Sequence, residues 1–170
     1  MKSTAWMILG AACAFGAASG EQPQDGDLVS LKAELARLKG LVPDQSHAMA
    51  DVGFHFTNLW FAGENANWPL AQFYSDEVRS HLRWAVRIIP KRKDAENREI
   101  DLAGILGGLE TSTLKDLEAA VKAKDKDRFT AAYKAQIEGC MACHRATNKP
   151  YLRLHVPERP DAGIIEFRPE

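Results

Sequence analysis

Cysteine is scarce in this chain of 170 residues, which contains only Cys13, Cys140 and Cys143. Three thiols are too few for the disulfide framework of a small secreted scaffold. The stability of the fold must therefore come from a packed core. The chain also has no large excess of charge of one sign. It contains 22 Lys and Arg and 23 Asp and Glu, which gives a net charge of −1. This balance gives no indication of a nucleic-acid partner.

A long apolar run is missing as well, although a shorter one lies near the amino terminus. Residues 1–20 begin with the basic Lys2, continue through an apolar stretch and end in small residues before Glu21. This layout is typical of a cleaved secretory signal, and the stretch is too short for a comfortable membrane span of about 20 apolar residues. We therefore expect a periplasmic protein, attached to a membrane only if Cys13 is lipid-modified.

The remaining two cysteines lie close together in the run EGCMACHRATNK, residues 138–149. Cys140, Cys143 and His144 form the pattern C-x-x-C-H, which is the attachment site of a c-type haem. Two thiols one helical turn apart can each form a thioether to one vinyl edge of the porphyrin, and the next imidazole can then bind the iron as proximal ligand. The sequence thus predicts one covalently attached haem c, with His144 on its iron.

Two other uses of a cysteine pair fit the sequence less well. A thioredoxin-like redox pair needs a βαβ setting, and a four-ligand zinc site needs a second Cys or His pair at matching spacing. Neither is visible, because the other histidines form no H-x3-5-H pair; they are His47, His55, His81 and His155. Haem attachment is therefore the preferred interpretation.

The chain is predicted to be all-α, with a signal peptide at 1–20, a short helix or linker at 21–42, a haem-binding unit at 43–149 and a C-terminal tail at 150–170. Leucines spaced by three and four residues form a short coiled-coil seam in the second segment. This seam favours a helix packed on the domain, or a stalk, over dimerisation. The leucines are Leu28, Leu31, Leu35 and Leu38.

Apolar periodicity and helix-breaking residues predict four helices in the haem-binding unit. The first runs from Asp44 to Ala62 with Gly63 as the stop, and the second runs from Trp68 to Pro90. The third spans residues 99 to 122 and is loosened at Gly107 and Gly108. The fourth runs from Asp125 into the haem motif. No alternating strand pattern is expected. Four helices of similar length with short loops favour an antiparallel four-helix bundle, followed here by an irregular C-terminal tail that either wraps the bundle or stays mobile.

A bundle with C-x-x-C-H late in its fourth helix resembles the cytochrome c prime family, including its low-spin relatives. The first helix of such proteins commonly carries a Met or Leu six residues before a His-Phe pair, and Met49 precedes His55 and Phe56 by that spacing. The resemblance implies that a residue of this helix faces the iron from the side opposite His144. It also implies a possible homodimer through the first two helices.

The distal ligand decides what the iron can do. The resemblance implies Met49, whose neighbours on the helix include Phe56 as an apolar contact for the porphyrin. His55 is the alternative ligand, and an open or apolar site is the third possibility. Tyr133 lies on the helical stripe that leads to the two cysteines and is predicted to contact the haem as well.

Three function classes follow from the predicted haem. The preferred one is a monohaem electron carrier for redox partner proteins of the periplasm, because a Met or His ligand on each face closes the iron. The alternative is a haem protein that binds or senses NO or CO at an open distal site. A haem enzyme is disfavoured, because His55 is the sole candidate for a distal acid-base group. Cations near the end of the second helix suit either an acidic redox partner or the helix dipole; they are Arg87, Lys91, Arg92 and Lys93.

Overall fold

The computed structural model describes residues 25–169 of the chain. The described part is mostly helical, as predicted, and it divides into two compact units at the junction between Val42 and Pro43. The helices are α1 (Asp25–Leu41), α2 (Gln45–Glu64), α3 (Trp68–Ile88), α4 (Leu102–Thr111), α5 (Thr113–Ala123) and α6 (Lys126–Ala146). The predicted signal segment and Cys13 lie outside the described residues. No helix between residues 25 and 169 is both long enough and apolar enough to cross a membrane.

Helix α1 carries the predicted leucine seam. The four leucines of this seam, Leu28, Leu31, Leu35 and Leu38, are exposed. On the same helix, the guanidinium of Arg37 donates hydrogen bonds of 2.8 and 2.7 Å to the carboxylate of Glu34. Such an exposed pair contributes little to stability.

Side-chain caps fix where α2 and α3 begin. The carboxylate of Asp44 accepts hydrogen bonds from the amides of Ser46 and His47 at the start of α2. Asn67 caps α3 in the same way, with Pro69 in the first turn, where its missing amide hydrogen costs nothing. Both starts agree with the prediction.

Gly63 was predicted to end the first helix, but this prediction is wrong. Helix α2 continues through Gly63 to Glu64. A Cβ atom at position 63 would lie 2.2 Å from Cε1 of Phe129 on α6. The glycine therefore allows α2 and α6 to approach each other closely, and no left-handed backbone conformation is involved.

The single helix predicted over residues 99 to 122 is also corrected. Residues Glu99–Asp101 form β2, which pairs antiparallel with β1 (Lys91–Lys93). The helical part is then broken at Ser112, whose φ of −124° and ψ of −104° are not helical, rather than at the two glycines. The hydroxyl of Ser112 donates to the carbonyl of Gly108, and local bonds of this kind compete with the helical pattern.

The core of the second unit lies among α2, α3, α5 and α6. Helix α2 packs along α3, α5 packs along α6, and further contacts join the two pairs. At the centre, the rings of Phe56 and Tyr133 stack 4.2 Å apart with an angle of 8° between them. The Tyr133 hydroxyl donates a 2.9 Å hydrogen bond to the Phe56 carbonyl, so this buried polar group has its partner. The stack holds α2 and α6 together next to the haem motif.

The C-terminal tail follows α6 without a further helix or strand up to residue 169, and it packs on the helices. The side-chain oxygen of Asn58, which is fully buried, accepts hydrogen bonds of 3.1 Å from the amides of Asp161 and Ala162. The ring of Phe167 is buried 6.0 Å from that of Phe61. The tail is thus part of the core of this unit.

Candidate functional site

The C-x-x-C-H motif lies in the last turns of α6. Cys140, Cys143 and His144 stand at positions i, i+3 and i+4 of this helix, so their side chains share one face. The helix ends at Ala146, and the buried Thr147 hydroxyl donates a 2.9 Å hydrogen bond to the Cys143 carbonyl. This bond secures the backbone of the motif where the helix ends.

A cavity of about 530 Å³ opens on that face. Its volume is typical of a pocket for a small organic ligand or cofactor. Helices α2, α3, α4 and α6 and the start of the tail form its walls, and most of the lining side chains are apolar. The apolar lining residues include Val52, Leu82, Ala85, Val86, Leu102, Ile105, Leu106, Leu109, Leu152 and Leu154.

Five of the residues predicted for the haem site line this cavity. They are Met49, Phe56, Cys140, Cys143 and His144. Residues more than eighty positions apart in the sequence are thereby brought to one place. Gly53 is also in the lining, and a Cβ atom there would meet nothing within 4 Å, so the cavity extends up to the α2 backbone.

Tyr133 is not among the residues that line the cavity, and its contact with the cofactor stays a prediction. Its ring is buried and stacked on Phe56, and it is Phe56 that reaches the cavity wall. Burial raises the pKa of the Tyr133 hydroxyl, so this group is neutral at physiological pH. Its place behind Phe56 makes Tyr133 a support for the wall.

His55 lies outside the cavity as well. Its imidazole faces α3, with its ring centre 4.8 Å from that of His81. Burial, and then the neighbouring His81, lower the pKa of His55, so it is neutral at neutral pH. Met49 is therefore the only methionine or histidine that α2 contributes to the cavity among the residues described.

Both thiols of the motif are protonated at neutral pH. Burial raises the pKa of Cys140 to about 11, and it raises the pKa of Cys143 as well. The amide nitrogen of Gln136 donates a 3.3 Å hydrogen bond to the sulfur of Cys140. The thiolate, which is the form that reacts as a nucleophile, is therefore disfavoured at both positions in this fold.

His144 has the properties of an available metal ligand. Burial lowers the pKa of its imidazole, so the ring is neutral at neutral pH and carries a lone pair. Its Nδ1 atom is buried and has no hydrogen-bond partner among the described residues. Unpaired buried polar atoms are uncommon in native proteins, and a bound group is one of their explanations.

Cations from two parts of the chain stand at the edge of the same cavity. Arg92 from β1 contributes to the lining, and Lys149 and Arg153 from the tail join it. The side-chain oxygen of Gln45 accepts hydrogen bonds of 2.9 and 2.5 Å from the Arg92 guanidinium, which fixes its direction. The sequence did not predict the two tail residues for the site, although Lys149 and Arg153 lie close to the motif in the chain.

The residues present fit a covalently attached haem. Two thiols and a neutral imidazole share one helix face, the cavity beside them is apolar, and cations at its edge suit the two carboxylates that the porphyrin carries. An imidazole ligand in an apolar pocket is the environment in which proteins commonly hold a haem iron. No family model, curated protein or solved structure matches this chain. The function must therefore be argued from the cavity itself.

Proposed function

We propose that this protein is a periplasmic monohaem c-type cytochrome that carries one electron between partner proteins. The observation that supports the proposal most strongly is that one cavity collects Cys140, Cys143, His144 and Met49. These residues supply two thioether positions and two iron ligands from two helices. A haem bound here supplies reversible one-electron chemistry at its iron.

The protein residues have distinct roles in this proposal. His144 would hold the iron from α6 and Met49 would hold it from α2, and with both ligands bound the iron would have no position for a substrate. Phe56, supported by Tyr133, would keep water away from a bound porphyrin. Methionine and histidine ligation raises the reduction potential, as suits an electron carrier.

We also propose that the second unit is an antiparallel four-helix bundle like that of the cytochrome c prime family, with α4 and α5 together in the place of one helix. Support comes from the pairing of α2 with α3 and of α5 with α6, and from the contacts that join the pairs. In such bundles, cofactors lie among side chains on facing helices. The cavity among α2, α3, α4 and α6 agrees with this arrangement.

The position of the electron partner is suggested by charge. A basic groove of about 520 Å³ adjoins the cavity and shares Arg92, Thr147 and Lys149 with its lining. Lys91 and Lys93 also line this groove, together with Glu99, whose carboxylate accepts a 2.7 Å hydrogen bond from Lys91. Cations around a haem edge attract an acidic surface and speed association at low salt. We propose that an acidic redox protein docks at this groove.

A haem protein that binds a diatomic gas is the second candidate. The open space beside Gly53 favours this candidate. If Met49 does not bind the iron, a small gas molecule has room next to α2. A haem enzyme has less support, because the lining from α2 contains no histidine or carboxylate that could act as an acid-base group among the described residues.

Absorption spectra of the purified protein in both oxidation states test the proposal and separate the two candidates. An electron carrier with Met49 on the iron shows a low-spin spectrum, and carbon monoxide scarcely changes it in the reduced state. A high-spin spectrum with rapid binding of carbon monoxide would favour the gas-binding function. A protein with no haem absorption would contradict both.

A further inference from the structure

Four side chains with metal-binding groups face one another outside the cavity. Asp51 and His55 stand four residues apart on α2, and Glu77 and His81 stand four residues apart on α3. Residues at this spacing share one helix face, so each helix presents a carboxylate and an imidazole. None of the four lines the cavity. We call these four residues the imidazole–carboxylate cluster.

The polar atoms of the cluster are close but do not hydrogen-bond to one another. The Oε2 atom of Glu77 lies 3.9 Å from Nε2 of His55 and 3.5 Å from Nδ1 of His81. On the other side, Nε2 of His81 lies 3.9 Å from Oδ2 of Asp51. These separations are too long for direct hydrogen bonds. The side chains therefore approach one another at distances typical of ion pairs, without a hydrogen bond between them.

The same separations suit ligands around one ion. Zinc binds imidazole nitrogen and carboxylate oxygen at about 2.0–2.2 Å, which puts tetrahedral ligand atoms roughly 3.4 Å apart. One ligand atom each from His55, Glu77 and His81 lies within 4.8 Å of the other two. Only small side-chain movements would bring these three onto a common ion, and the oxygen of the half-exposed Asp51 lies beside His81 at the edge of the group.

The hydrogen bonds of the two imidazoles show which of their nitrogens are free. The Nδ1 atom of His55 is buried and has no hydrogen-bond partner within residues 25–169. In contrast, Nδ1 of His81 donates a 2.9 Å hydrogen bond to the backbone carbonyl of Glu77. A metal-binding histidine commonly fixes its ring through such a bond, which leaves Nε2 with the free lone pair.

We propose that the imidazole–carboxylate cluster binds one Zn²⁺ ion that links α2 to α3. Two imidazoles with carboxylates are a ligand set that zinc and neighbouring transition metals prefer, whereas Ca²⁺ and Mg²⁺ prefer oxygen ligands alone. The carboxylate of Asp51 is half exposed, so an ion can enter from that side. Because the unfolded chain does not hold these ligands together, the ion stabilises the fold of the two helices that wall the cavity.

Isothermal titration of the purified full mature chain with Zn²⁺, after dialysis against EDTA, tests this site. We expect one ion per chain with a micromolar or tighter Kd, and a Tm that rises with Zn²⁺ concentration. Glu77→Gln keeps the size of the side chain but removes its charge, and His81→Ala removes an imidazole. Each change should weaken binding at least about tenfold, since even changes behind the ligands commonly cost that much.

His47→Ala is the matched control, because His47 is an exposed histidine on the same helix, beside Asp44 and outside the cluster. It should bind Zn²⁺ as the unchanged chain does, and circular dichroism of each variant checks that the helices form. Absence of saturable binding at micromolar Zn²⁺ would overturn the proposal. Equal affinity of Glu77→Gln and the unchanged chain would overturn it too. Neither readout depends on the haem, so the result is independent of the proposed electron transfer.

Discussion

Filling the cavity from its α2 wall is the sharpest structural perturbation that the chain offers. Gly53 lines the cavity, and a Cβ atom added there meets no other atom within 4 Å. The change Gly53→Phe therefore adds an aromatic ring at the wall of the proposed haem site without a clash at its Cβ atom. Gly107 has the same open surroundings on α4 but does not line the cavity, so Gly107→Phe is the matched control.

Two effects on stability can be separated by this pair. Phenylalanine is better than glycine in a helix interior by at least about 0.3 kcal/mol, so both changes should slightly stabilise a chain without cofactor. With a haem in the cavity, the ring at position 53 competes for the same space. Overpacking of this kind costs about 1–3 kcal/mol. The haem-loaded Gly53→Phe variant should therefore be less stable than the control by about that amount.

The assay is urea denaturation of the haem-loaded proteins, followed by the haem absorbance and by circular dichroism. We expect a lower midpoint for Gly53→Phe, together with a changed visible spectrum and a reduced yield of haem protein. The reasoning would be refuted if Gly53→Phe and Gly107→Phe had the same midpoint and the spectrum of the unchanged protein. The cavity would then be empty of haem.

Three further predictions concern the distal ligand, the tail and the close helix crossing. Met49→Ala should open the iron to carbon monoxide and lower the reduction potential, whereas His55→Ala should change neither, as measured by absorption spectra and redox titration. An unchanged spectrum in Met49→Ala would exclude it as the ligand. Asn58→Ala removes the acceptor of two tail amides and should lower the free energy of unfolding by about 1–3 kcal/mol in urea titrations. An unchanged free energy of unfolding would mean that Asn58 does not anchor the tail. Gly63→Ala should lose about 1–3 kcal/mol of unfolding free energy, because the added methyl group meets the buried ring of Phe129. The control Gly107→Ala should gain about 0.5–1 kcal/mol of unfolding free energy. Equal thermal unfolding of the two variants would contradict the close approach of α2 and α6.

Local signals in the sequence predicted the helix starts well. Asp44 and Asn67 cap helices through their own side chains, and Pro69 and Pro90 restrict the backbone next to them, so these limits depend on few residues. The C-x-x-C-H spacing likewise fixes a common helix face for its three functional groups. Such features do not require knowledge of the tertiary structure.

Features that depend on packing were missed or misread. Gly63 has the features of a helix stop in the sequence. Its structural role instead depends on the ring of Phe129 on α6, which lies 66 positions later in the chain. The break at Ser112 depends on hydroxyl bonds that compete with the helix, and glycine content pointed to the wrong place. The meeting of His55 with His81 likewise requires α2 and α3 to pack with one particular rotation. No periodicity within either helix contains that information.

The mass of the purified chain tests the central claim most directly. Protein produced in a bacterium that matures c-type cytochromes should carry one haem in covalent linkage, so its mass after denaturation equals the processed polypeptide plus one haem. Changing Cys140 and Cys143 together to Ala should remove this added mass. A polypeptide at its bare processed mass, with both thiols free to react with an alkylating reagent, would contradict the account.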